Sequence, residues 1–121
     1  MVAIKEVLGQ IRQGILSPLY VFYGEERWLI DEALRLLREQ LTPQGESDFN
    51  YERFDLTEEP IERALESAES FTLMGEKRLI VAFGATFLCS GREKDKVEHN
   101  LEALEKYVEN PAPHSVFCLV V

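Results

Sequence analysis

Two stretches of the sequence are apolar at every position. They are Leu79-Ile80-Val81-Ala82-Phe83 and the closing Val116-Phe117-Cys118-Leu119-Val120-Val121. A strand with one wet face alternates apolar and polar residues, whereas an unbroken apolar strand has to be covered on both faces. Both stretches fall well short of the about 20 residues needed to cross a bilayer. The chain must therefore supply two layers of cover, and the segments between and before these stretches are where that cover has to be found.

Those segments read as helices alternating with strands. Ile4, Val7, Leu8, Ile11 and Ile15 recur at helical spacing, with Gly14 placed as a C-cap glycine. After Ser17-Pro18, Leu19 to Tyr23 is a compact aromatic and β-branched run that reads as a buried strand. Glu25 to Leu41 is an amphipathic helix with Leu29, Ile30, Ala33, Leu34, Leu37 and Leu41 on its dry side. Asp31, Glu32, Arg35, Arg38 and Glu39 take the wet side, and Trp28 in the first turn is expected to pack against the core.

Thr42 to Asp48 is a loop by composition, and Phe49 to Leu56 is a strand with one exposed side. Thr57 is expected to cap a third helix, with Glu58, Glu59 and Pro60 in its first turn and Ile61, Ala64, Leu65 and Ala68 on its dry face. A strand over Arg78 to Phe83 follows, then Phe87, Leu88 and a charged loop from Gly91 to Lys96. The fourth helix carries Val97, Leu101, Leu104, Tyr107 and Val108, and Asn110-Pro111 stops it. This order predicts an α/β fold of three layers, a mostly parallel sheet with helices on both faces. The 121 residues make one domain. Because the last apolar run has nothing after it, the sequence is expected to be an excised piece of a longer protein, with an unfinished strand edge after Val121.

Charge narrows the partners. Asp and Glu number 22 against 13 Lys and Arg, a net charge of −9, so the surface as a whole repels nucleic acid and anionic membrane. Cys89 and Cys118 have no C-x-x-C spacing and no neighbouring His, which predicts idle, reduced thiols. Met1 to Ser17 lacks the apolar core and cleavage site of a signal peptide, so a cytoplasmic location is expected.

Catalytic chemistry is not legible. The turn after the first strand, Tyr23-Gly24-Glu25-Glu26, is where a phosphate-binding loop would sit. Counted from Gly24, the positions that need Gly, Lys and Ser/Thr hold Leu29, Ile30 and Asp31. Glu25 and Glu26 already place negative charge at the helix N-terminus that would have to attract an anion. Gly84 and Ala85 follow the third strand where a nucleotide hydrolase or a receiver domain would carry an acid. His99, read as part of the charged fourth helix, and His114, beside Pro113, lack partners at metal spacing. Ser70 and Ser115 have no recognisable base. No cofactor, no metal and no catalytic residue is expected.

One connector stands out. Ser70-Phe71-Thr72-Leu73-Met74-Gly75-Glu76 joins a helix to a strand, yet its middle is large and apolar, whereas connectors are usually polar. Either Phe71, Leu73 and Met74 tuck beneath the helix, or they form a wedge that enters a partner's pocket.

The segments Leu19 to Glu26 with Leu29 to Ala33, Phe71 to Val81 and Leu104 to Pro111, taken in order, resemble the N-terminal domain of the delta subunit of bacterial DNA polymerase III. The resemblance runs from about Pro18 to the end. It implies an AAA+ (P-loop NTPase-like) core whose nucleotide motifs have decayed, in a subunit of the clamp loader. It also implies a partner, the beta sliding clamp, gripped and helped open through an apolar pair in the connector. Leu73 and Met74 occupy that place, supported by Phe71, Thr72 and Gly75. Family members often carry a proline and two bulky aromatics there, and Thr72, Leu73 and Met74 differ from that pattern. Contacts to the other loader subunits, delta prime and gamma/tau, are implied through further domains, and contact with DNA through the assembled complex. The family belongs to the DNA-directed DNA polymerase holoenzyme, with no catalysis implied for this domain. Two alternatives stand beside this one: a nucleotide-binding AAA+/P-loop ATPase domain, and an α/β protein-interaction module with another partner.

Overall fold

The computed structural model describes residues 4–23, 27–41, 51–70, 77–85 and 98–121. Helices and strands alternate through α1 (Ile4–Arg12), β1 (Leu19–Phe22), α2 (Arg27–Leu41), β2 (Tyr51–Asp55), α3 (Ile61–Glu69), β3 (Arg78–Phe83), α4 (Leu101–Glu109) and β4 (Ser115–Val120). The four strands form one sheet in the order β1-β4-β3-β2, and every neighbouring pair is parallel.

The two unbroken apolar runs lie side by side at its centre, with Leu79 opposite Val116 and Ala82 opposite Leu119. Alternate residues feed opposite faces. Leu79, Val81, Val116, Cys118 and Val120 pack with Leu8 and Ile11 of α1 and Leu29, Ile30, Ala33 and Leu37 of α2. Ile80, Ala82, Phe117 and Leu119 pack with Ile61, Ala64, Leu65 and Ala68 of α3 and Leu104 and Tyr107 of α4. The expected three layers are therefore present, each face of the sheet covered by two helices.

Local signals account for several boundaries. Helix α1 ends in a Schellman turn: Gly14 has φ 81°, its N–H donates to Ile11 O at 2.9 Å, and Ile15 N–H donates to Gln10 O at 2.9 Å. Asn100 caps α4 by accepting from Ala103 N–H at 3.1 Å, so that helix starts at Leu101 and His99 lies ahead of it rather than within it. Thr57 does not cap α3. Asp55 Oδ1 accepts from both Thr57 N–H (3.0 Å) and Thr57 Oγ (2.6 Å), closing a turn after β2. The helix then begins at Ile61, after an extended Pro60.

The strand edges also correct the sequence reading. The last run is not an unfinished edge, because β4 lies between β1 and β3. Among the described strands, the outer two are β1 and β2. Strand β2 carries Glu52, Arg53 and Asp55, charges that discourage edge-to-edge pairing, and the Arg38 and Arg53 guanidiniums lie over the Tyr51 and Phe83 rings at 4.3 and 4.4 Å. Strand β1 carries no charge. It was expected to be buried, but among the described strands it has a neighbour on one side only, and Val21 and Tyr23 are exposed. Trp28, expected in the core, is 70 % exposed at the second position of α2, because the helix turns Leu29 and Ile30 toward the sheet instead.

Candidate partner-binding edge

The sequence singles out Phe71, Thr72, Leu73, Met74 and Gly75, and all five lie outside the described residues. The structure does describe the residues on either side of 71–76. Ser70 follows α3 and Lys77 precedes β3, so the segment joins a helix end to the amino-terminal edge of a parallel sheet. In α/β sheets the usual ligand crevice lies at the opposite, carboxyl-terminal edge.

The amino-terminal edge is tied together by side chains. A helix leaves its last four carbonyls without intrahelical partners, and in α3 all four are satisfied. Glu66 O accepts from Ser70 N–H (3.1 Å) and Ser70 Oγ (2.9 Å), and Ser67 O accepts from Ser70 N–H at 3.2 Å. Ala68 O accepts from the Ser115 hydroxyl, and Glu69 O lies 3.0 Å from His114 Nε2, which therefore donates. Ser115 at the start of β4 is fully buried, so its hydroxyl needs this partner. The two serines that lacked a catalytic base in the sequence are thus both helix-end donors.

Arg78 completes the edge. Its guanidinium donates to Glu52 on β2, and to Ser67 Oγ on α3 at 3.0 Å, while its backbone N–H donates to His114 O at 3.0 Å. Ser67 Oγ also donates to Glu52. The arginine is enclosed, its side chain 13 % exposed against 44 % for Glu52. No spacing in the sequence links Glu52, Ser67 and Arg78, because three separate elements bring them together.

The carboxyl-terminal edge is built differently. Residues 24–26, the turn where a phosphate loop would sit, lie outside the described residues. The helix that follows is described, and Ile30, at the position a phosphate loop gives to lysine, is 2 % exposed and packs in the core beside the buried Leu29. After β3, Gly84 has φ 77°, and a Cβ there would stand 3.0 Å from Thr57 Cγ2 and 3.6 Å from Asp55 Oδ1. Glycine is required at that turn for both its backbone and its closeness to Thr57.

The remaining candidates have structural places. His99 Nδ1 accepts from Ile61 N–H at 3.0 Å, supplying α3 with the cap that Thr57 does not. Asn100 N–H donates to Glu62 Oε1 at 3.0 Å, fastening α4 to the same helix end. Among the described residues, no group of three or more His, Cys, Asp or Glu is placed to hold a metal ion, and no helix is long and apolar enough to cross a membrane. Cys118 is a free thiol buried in the sheet, where desolvation pushes its pKa above the ordinary range. Cys89 lies outside the described residues.

Fold and site together define a class: a parallel three-layer α/β domain with buried Leu29 and Ile30 at the start of the helix that follows β1. The comparisons name the family. The model for "DNA polymerase III, delta subunit" matches residues 20–121, and the chain belongs to that family. A Bacillus subtilis (strain 168) protein named DNA polymerase III subunit delta is 39 % identical over 115 residues, covering 95 % of this chain and 33 % of its own length. The solved structure of the B. subtilis DNA clamp loader delta protein superposes with a TM-score of 0.91 at 38 % identity, covering 98 % of this chain and 35 % of that one. The chain thus spans about a third of the length of these relatives.

Proposed function

We propose that this domain takes part in DNA replication as the clamp-gripping part of a DNA polymerase III clamp loader. Leu73 and Met74 enter an apolar pocket of the beta sliding clamp, with Phe71, Thr72 and Gly75 shaping the connector around them, and the grip helps to open the ring. Residues 1–121 act as one domain, the N-terminal AAA+-like domain of a longer cytoplasmic subunit. Further domains join delta prime and gamma/tau, and DNA is met by the assembled complex, since a net charge of −9 disfavours direct contact with phosphates.

The observation that carries this reading is membership of the delta family, together with likeness to a solved protein whose name is clamp loader delta. The chemistry of the two sheet edges supports it. ATP binding would need a lysine where Ile30 is packed in the core, and the sequence that joins α3 to β3 carries the apolar Phe71, Leu73 and Met74. Calorimetric titration of the chain against purified beta sliding clamp tests the reading. Saturable binding of the chain by the clamp is expected, and the absence of both heat and co-elution would refute it.

A further inference from the structure

We draw no further inference here: the strongest candidate, the apolar surface patch of Val21 and Tyr23 at β1, an outer strand among those described, carries nothing further, because nothing in the structure shows what covers it.

Discussion

The two ends of this sheet are built differently. At the carboxyl-terminal end the described residues meet locally: Gly84 lies against Thr57, Asp55 bonds Thr57, and core residues Leu29 and Ile30 start the inward face of α2. At the amino-terminal end, side chains from β2, β3, β4 and α3 converge on the borders of an apolar connector. Among the described residues, the end where α/β sheets usually bind ligands is packed at Leu29, Ile30 and Gly84, and the opposite end is braced by side-chain hydrogen bonds.

The sharpest way to break this contrast is to remove the apolar pair. Burying each side chain fully is worth about 1.5–3 kcal/mol. Replacing Leu73 and Met74 by alanine is therefore expected to weaken clamp binding by up to roughly 3–6 kcal/mol, or about 10²–10⁴-fold, before ordering costs reduce it. The melting temperature should stay where it is. A fall in stability that accounts for the lost binding would mean that the pair is core packing and the contrast is false.

Next in size is a change at the carboxyl-terminal end. Ile30→Lys restores the lysine of a phosphate loop at a site where Ile30 is 2 % exposed. An uncompensated buried charge should cost about 3–5 kcal/mol of stability. Calorimetry with magnesium ATP should detect no saturable binding by the variant or by the parent chain. A folded variant that binds ATP would show the end to be a dormant nucleotide site rather than a packed turn.

A smaller effect is expected from Gly84→Val. The positive φ and the close Thr57 methyl should together cost about 1–3 kcal/mol in denaturant unfolding. Clamp affinity of the folded fraction should not change, because the strain lies at the far end of the strands. Loss of affinity without loss of stability would show the ends to be coupled.

The smallest effect belongs to neither end. The hydrogen bond from Arg35 holds the Glu32 carboxyl below the ordinary carboxylate range, so the pair's contribution is present above that range and lost as pH falls through the lowered value. Both groups are at the surface, where water screens them. Glu32→Gln should flatten the acid limb of the stability–pH curve slightly and leave clamp binding unaltered, which separates an ordinary surface ion pair from the enclosed Arg78 cluster.

How far the sequence reveals these ends depends on the range of the interactions. Apolar periodicity is local, so the central strands, the dry face of α2 and the Gly14 turn can all be read from neighbouring residues. The cap of α3 cannot. Thr57 has the right chemistry and position, but Asp55, two residues earlier, takes its N–H and hydroxyl, while the capping His99 comes from 38 residues beyond Ile61. Asn100 was legible as an N-cap before Leu101, and with it the place of His99 ahead of the helix. Strand order is also non-local: the last strand inserts beside the first, which makes β1 rather than the last strand an outer one among the described strands, with Val21 and Tyr23 exposed. The Glu52–Ser67–Arg78 cluster depends on that same order, with β2 beside β3 and α3 packed over both.

Hydrogen exchange on the chain with and without purified beta sliding clamp tests the division of the two ends most directly, because it reads every segment at once. The account predicts clamp-dependent protection across 71–76 and its borders at Ser70 and Lys77, with residues 24–26 and Gly84-Ala85 exchanging as they do in the free chain. Protection confined to 24–26 and 84–85, or no protection anywhere on bound chain, would contradict it.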